Sequence, residues 1–326
     1  MRSFEDCRLL VIADRYHHRG DHTSSSFVKD QTDQLSNYFK NVYVVSQTPY
    51  VPKSFSYLPF VHPRWKRDSL AEDYEYENVQ VSFARYFTLP VAFARKRKGN
   101  NALKAVMRPI KHKGLEFDLI HAHFTWPSGY VGAHLKEKHS VPFVVTAHGY
   151  DIYLLPFKDG EWREKIEYVL NSADRVITVS QSNLACIQKL DVSTPTTVIP
   201  NGFRSDLFYP RIPSGCRSIL NLPQDKRIIL TVGNLESVKG QLYLIEAVQR
   251  IVQARKDVLC VIIGAGKLRT VLERQIRSLG LGDYVMFAGG KSHDEIPLWM
   301  NACDLFVLPS LRESFGVVQI EAMACG

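Results

Sequence analysis

The first two hundred residues of this chain alternate short β-branched runs with polar stretches of helical period, and the alternation resumes past residue 225. The strand candidates are RLLVIAD (8–14), NVYVVSQ (41–47), VQVSFARY (79–86), FDLIHAH (117–123), PFVVTAHG (142–149), RVITVS (175–180) and TTVIPNG (196–202). Near-continuous apolar runs of this kind suit strands covered on both faces. Helix candidates fall between them at 27–40, 101–111, 128–139, 161–172 and 181–190. Such alternation predicts a doubly wound α/β domain around a parallel sheet. The aromatic, proline-rich stretch 51–78 has no clear period and reads as an insertion or mobile loop. Residues 203–225 carry Pro210, Pro213, Gly215 and Pro223 and read as a linker. The domains expected are therefore 1–202 and 226–326. In the second, KRIILTVG (226–233), VLCVIIGAG (258–266), YVMFAGG (284–290) and DLFVLPS (304–310) each lead into a helix. An open parallel sheet of this class has five or six strands. The second domain is thus expected to be incomplete by one or two β–α units.

Bulk properties narrow the class. A length of 326 residues suits two domains with separate cores. Apolar content of 45% and charged content of 23% argue against disorder. No apolar window is long enough for a spanning helix, and Glu5 and Asp6 ahead of the first apolar run argue against a signal peptide. The cysteines at 7, 186, 216, 260, 303 and 325 form no C-x-x-C pair, so reduced thiols in a cytoplasmic protein are expected. Net charge of +8 and a pI near 9.1 point to anionic partners. The imbalance is concentrated: between Asn78 and Leu115 there is no acid, while Arg85, Arg95, Lys96, Arg97, Lys98, Lys104, Arg108, Lys111 and Lys113 are basic. That segment suits either an anionic membrane surface or a solvated loop. No nucleic-acid motif accompanies it, so a nucleic acid is not expected.

Ligands of open α/β sheets bind beyond the carboxyl ends of the strands, and the residues there are informative. One strand ends in His148-Gly149-Tyr150-Asp151. The first runs into a polar loop holding His17, His18, Gly20 and His22, a candidate anion site whose histidine spacing matches no compact zinc site. In the second domain Gly233-Asn234 precedes Lys239 by a reach suited to a phosphate. Gly264 and Gly266 make a lone G-x-G, a poor dinucleotide fingerprint. Gly289-Gly290 leaves backbone open to a flat base. Glu313 and Glu321 flank Ser-Phe-Gly and a short apolar run, one acid on a loop and one in a helix. On one continuous helix they would stand roughly 80° apart, an objection that Glu313 on the loop weakens. No D-x-D pair occurs, so no metal and no other cofactor is expected.

The succession TAHGYD (146–151), VITVS (176–180), VIPNGFRSDLF (198–208), TVGNLESVKG (231–240), VIIGAGKLR (261–269), HDEIPLWMNACDLFVLPS (293–310) and ESFGVVQIEAMACG (313–326) resembles family 4 retaining glycosyltransferases, in collinear order over nearly the whole chain. The resemblance implies the GT-B fold: two Rossmann-like domains facing across a cleft, with acceptor mainly on the first and nucleotide-sugar mainly on the second. It implies that Glu313 contacts the donor sugar and His148 sits beside the anomeric carbon. Lys239 and the amides of Phe315 and Gly316 are implied to hold the diphosphate, and Glu321 the ribose. Gly233, Asn234, Gly264 and Gly289 fall in the donor site; Gly20 and Asp151 fall on the acceptor side. Two departures stand out. Asn234 replaces the arginine many members carry, which leaves more charge to Lys239 or to Arg269, and Gly20 stands where members often show paired glycines.

The implied reaction moves a sugar from UDP- or GDP-sugar to a glycan or lipid-linked hydroxyl acceptor with retention, in cell-envelope glycan or glycolipid synthesis. The enzyme would be cytoplasmic, peripheral on the inner face of the membrane. A GT-B sugar-nucleotide epimerase and a non-catalytic glycosyltransferase fragment are the alternatives.

Overall fold

The computed structural model describes residues 4–14, 16, 27–50, 71–87 and 92–326. The chain divides into two compact units, Met1–Pro200 and Asn201–Gly326. The insertion expected at 51–78 falls largely outside the described residues, as does the loop with His17, His18, Gly20 and His22.

In the first unit eight strands form one sheet: β1 (Arg8–Asp14), β2 (Asn41–Tyr50), β3 (Tyr74–Tyr76), β4 (Val79–Phe87), β5 (Leu119–His123), β6 (Phe143–Ala147), β7 (Arg175–Thr178) and β8 (Thr196–Val198). Their order is β3-β4-β2-β1-β5-β6-β7-β8. All neighbours run parallel except β3, which pairs antiparallel with β4 at the edge. The strand β1 shows why its run is apolar throughout. Leu10 and Ile12 enter the core on one face, and Leu9, Val11 and Ala13 enter the core on the other. Burying each of these Leu, Ile and Val side chains contributes about 1.5–3 kcal/mol.

The helices of this unit are α1 (Phe27–Ser36), α2 (Ala92–His112), α3 (Tyr130–His139), α4 (Tyr150–Tyr153), α5 (Gly160–Ser172) and α6 (Gln181–Ile187). Side chains of Asp159 and Ser180 cap α5 and α6 by accepting from Trp162 N and Asn183 N. The basic segment is not a loop: α2 begins well before residue 101. Ala102, Ala105, Val106 and Ile110 turn one face of it into the core, which holds the polar remainder helical.

The second unit repeats the architecture with β9 (Arg227–Val232), β10 (Val258–Ile263), β11 (Val285–Gly289) and β12 (Leu305–Phe306), all parallel, in the order β11-β10-β9-β12. Again alternate residues part to two sides: Ile228, Leu230 and Val261 to one core, Ile229, Cys260 and Ile262 to the other. Its helices are α7 (Pro213–Ile219), α8 (Gln241–Ala254), α9 (Arg269–Ser278), α10 (Ile296–Ala302) and α11 (Val317–Ala324). Two expectations change here. The stretch read as a linker is part of this unit. Pro213 starts α7, a position that proline favours. Phe208, Cys216 and Leu222 join its core, and Arg217 is buried against the Ala302 carbonyl at 2.9 Å and Asp304 at 2.6 Å. The strand expected at 304–310 narrows to two residues, because from Pro309 onward the backbone turns to pack against Gly240. None of the six cysteines is in a disulfide.

Candidate functional site

In the second unit, strand order runs outward from β9 to β10 and β11, then returns to place β12 on the other side of β9. Beyond the carboxyl ends of β9 and β12 lies such a switch point, where a doubly wound sheet leaves a crevice. The loop after β9 carries a short 3-10 turn, Ser237–Lys239, closed by Gly240 in the left-handed region at φ 68°. A Cβ on Gly240 would lie 2.0 Å from the Pro309 carbonyl oxygen, so only glycine lets the two loops meet. Leu311 N donates to Val238 O at 2.8 Å and completes the contact.

This contact brings Lys239 and Glu313 together. Lys239 Nζ donates to Glu313 Oε1 at 2.5 Å, and Ser310 Oγ donates to the same oxygen at 2.7 Å. Both charged side chains keep about a quarter of their surface exposed, 27% and 26%. Glu313 lies on the loop and Glu321 within α11, the division expected from sequence. Gly316, left-handed at φ 77°, precedes the first residue of α11, so Phe315 and Gly316 lead directly into the first turn of that helix. Glu321 is 7% exposed, and its Oε1 accepts from His293 Nε2 at 2.8 Å. Phe208 lies against the His293 ring at 5.1 Å.

The glycines of the three strand ends sit side by side. A Cβ on Gly264 would fall 1.9 Å from the Gly233 carbonyl oxygen, and Gly264 N donates to Gly289 O at 2.9 Å. Gly264 therefore serves a close backbone approach within the fold, while a Cβ on Gly289 would meet open space and one on Gly233 would meet Lys239 Cδ at 3.9 Å. The Asn234 carbonyl accepts from Gln241 Nε2 at 3.0 Å. Arg269, the sequence's reserve cation, is held by Glu273 at 2.5 Å and lies 3.8 Å over the Phe287 ring. A lysine, helix-terminal amides, a carboxylate on a loop and one within α11 suit an anionic group joined to hydroxyl-bearing rings.

In the first unit, the order switches between β1 and β5. His148 follows β6, and three histidines gather there. His121 and His123 share one face of β5, with ring centroids 4.4 Å apart. His123 Nδ1 and His148 Nε2 are 3.0 Å apart. His121 Nε2 bonds Thr146 Oγ1 at 2.8 Å. Phe27 and Phe124 wall the His148 ring at 4.9 and 4.7 Å. Burial lowers the pKa of His121 to about 4 and of His148 to about 3, and holds His123 well below the imidazole range. All three are neutral at pH 7.

Asp151, expected on the acceptor side, has its carboxylate turned into the fold. It is 2% exposed, and its two carboxylate oxygens accept from Gly149 N and Thr125 N, each at 2.8 Å. Its carboxyl clamps the turn carrying His148 to the end of β5, and burial raises its pKa. Sequence reasoning gave no role to Ser310, His293, His121 or His123. The H-x-H spacing on a strand, which puts both rings on one face, was the available signal for the last two. Among the described residues no group of three or more His, Cys, Asp and Glu side chains is placed to hold a metal ion, and no helix is long and apolar enough to cross a membrane.

Comparison with known proteins matches both units. The family described as glycosyl transferases group 1 matches residues 216–326, and glycosyltransferase family 4 matches residues 60–207. An uncharacterized glycosyltransferase of Methanocaldococcus jannaschii is 31% identical over 258 residues, covering 78% of this chain and 65% of its own length. The putative teichuronic acid biosynthesis glycosyltransferase TuaC of Bacillus subtilis is 28% identical over 278 residues, covering 84% of this chain and 68% of its own. This chain thus spans about two thirds of the length of these curated relatives. The structure of Anabaena HepE in complex with UDP and glucose superposes with a TM-score of 0.69 at 23% identity, over 98% of this chain and 78% of that one. At that identity the likeness establishes the fold, GT-B. With both units matched in order, the chain belongs to the group 1, family 4 glycosyltransferases.

Proposed function

We propose that the protein transfers a hexosyl group from a nucleoside-diphosphate sugar, UDP- or GDP-linked, to a hydroxyl acceptor with retention at the anomeric carbon. The observation that carries this reading is the convergence of Lys239, Ser310 and Glu313 at the switch point of the second sheet. An ion pair this exposed contributes about 0–1 kcal/mol to the fold, so a ligand can part it at little cost. A diphosphate would take Lys239 and the amides leading into α11, freeing Glu313 for sugar hydroxyls and leaving Glu321 for the ribose. The transition state is cation-like on the sugar and anionic on the departing diphosphate. Placed charge at Lys239 then lowers the barrier with no call on a metal.

Titration calorimetry of the full-length protein with UDP, GDP and their sugars tests the reading. Saturable binding of one nucleotide series, weakened by Lys239→Ala, is expected; no binding of either overturns it. Product analysis adds a second arm, since donor converted in the absence of any acceptor would assign an epimerase instead.

The acceptor we place in envelope glycan or glycolipid synthesis, at the cytoplasmic face of a membrane. TuaC, named for teichuronic acid biosynthesis, supports this, and so does α2. Of its basic residues Lys96 is tied to Asp159 and Glu161, and Lys98 to Asp14. Arg97, Lys104, Arg108 and Lys111 are exposed, and their spacing puts them on one helix face. Each basic residue near an anionic surface adds about 1 kcal/mol. Neutralising Lys104, Arg108 and Lys111 together should therefore lower partition onto phosphatidylserine vesicles by on the order of 100-fold. Unchanged sedimentation would remove the membrane from the proposal.

A further inference from the structure

His148 has one ring nitrogen committed, and the partner is another imidazole. Its Nε2 lies 3.0 Å from Nδ1 of His123, with the two rings nearly parallel at 16°. His123 is 0% exposed, and its second nitrogen, Nε2, is buried with no hydrogen-bond partner among the described residues. Its neighbour His121 has Nε2 engaged by Thr146.

A bond between two neutral imidazoles needs one proton, which leaves two arrangements. If His148 Nε2–H donates to His123 Nδ1, the proton of His123 sits on Nε2, a buried N–H with nothing to accept it. If His123 Nδ1–H donates to His148 Nε2, the partnerless Nε2 is a bare lone pair. A buried polar atom left unmet costs about 1–3 kcal/mol whichever its kind, but orphaned buried N–H groups are rarer than under-used acceptors. The second arrangement leaves no donor stranded.

We infer that His123 is a positioning residue that donates Nδ1–H to His148 and so holds His148 in its Nδ1–H tautomer. The hydrogen bond at one imidazole nitrogen fixes which proton the other carries. The lone pair of His148 is then turned inward and spent, and its remaining nitrogen presents an N–H. Such a ring gives a hydrogen bond to a substrate oxygen and has no lone pair there with which to take a proton. The consequence for catalysis rests on the proposed placement of His148 beside the reacting sugar. The tautomer itself does not. Burial keeps both rings neutral, as the arrangement requires.

Long-range proton–nitrogen correlation spectra of the full-length protein, labelled with 15N-histidine, at pH 7.5 separate the two tautomers. In the wild type, the His148 signals should show Nδ1–H; an Nε2–H pattern overturns the inference whatever the activity. In His123→Asn the amide N–H can occupy the place of Nδ1–H, so the Nδ1–H tautomer should persist. In His123→Gln the amide is displaced, and in His123→Leu no donor remains, so both should release it. Persistence of Nδ1–H in these two would show that His123 is not the cause. Turnover should follow the same order: kcat down by at least about tenfold in His123→Leu with donor KM within about twofold, and largely restored in His123→Asn. Equal losses in Asn and Leu variants, or a loss confined to KM, would overturn the positioning role. Should His123→Leu fail to fold, the wild-type spectrum and His123→Gln decide. If the wild type transfers no sugar, the proposed function fails while the spectra still answer the tautomer question.

Discussion

The polar groups at the strand ends of the two units are built on opposite terms. In the first unit they are sealed in: His123, Asp151 and His148 are 0%, 2% and 8% exposed. The imidazoles are neutral and bonded to one another, and the carboxylate is spent on backbone amides. In the second unit, Lys239 and Glu313 are charged, on loops, and a quarter exposed. Sealed neutral groups hold their geometry without reorganising, but the fold must satisfy every one of them or lose stability. Half-exposed ion pairs cost the fold little and exchange partners readily. The first unit thus presents a fixed polar surface, and the second holds internal contacts that a charged ligand can displace.

The sharpest way to break that comparison is Lys239→Ala. Turnover should fall by on the order of 10²–10³, as when a single preorganised donor is removed. Thermal stability should barely move, because an exposed pair contributes about 0–1 kcal/mol. Steady-state kinetics and a melting curve on the same preparation of the full-length protein check both halves. Full activity would show that Lys239 does not carry leaving-group charge. A large drop in melting temperature would show that the pair belongs to the fold, and the two units would then be alike.

How much of this was legible in the sequence divides along the same line. The α/β architecture was, because β1 and β10 must feed two cores and so cannot hide their apolar runs. The pairing of Lys239 with Glu313 was legible only as two separate motifs. What joins them is the contact of Gly240 with Pro309, a tertiary fact with no local signature. Pro213 misled because the same residue that breaks a chain also starts a helix. The helix at 101–111 was legible from its period, but not its extension back to Ala92 through the basic cluster Arg95–Lys98. His121 and His123 were in plain sight, but two histidines on a strand acquire meaning only when a third, from the next strand, packs against them. For Asp151 only the direction of the Gly149 and Thr125 amides shows the clamp its carboxylate makes within the fold.

A smaller effect sharpens the contrast, and it runs through pH. The pKa of His148 is depressed to about 3 and that of His121 to about 4 in the folded state, against 6.5 for a free imidazole. Above 6.5 folded and unfolded chains are both neutral there, and stability is at its full value. As pH falls from 6.5 toward about 4, the unfolded chain takes up protons that the folded one refuses, so stability must fall. Each fully buried imidazole contributes at most about 1.4 kcal/mol per pH unit in that window. His121 keeps some solvent contact, so most of the slope belongs to His148 and His123. Asp151 works in the opposite sense: burial raises its carboxyl, so its protonation as pH falls relieves the fold rather than loading it. The surface carboxylates held low by basic partners, Asp257 among them at about 2, lose their contribution only below the window. Urea denaturation between pH 6.5 and 4.5 should therefore show a falling midpoint, and His148→Asn should flatten the slope by about 1 kcal/mol per unit. A slope that His148→Asn leaves unchanged would mean that the imidazoles titrate freely, and the first unit's site would be as open to solvent as the second's.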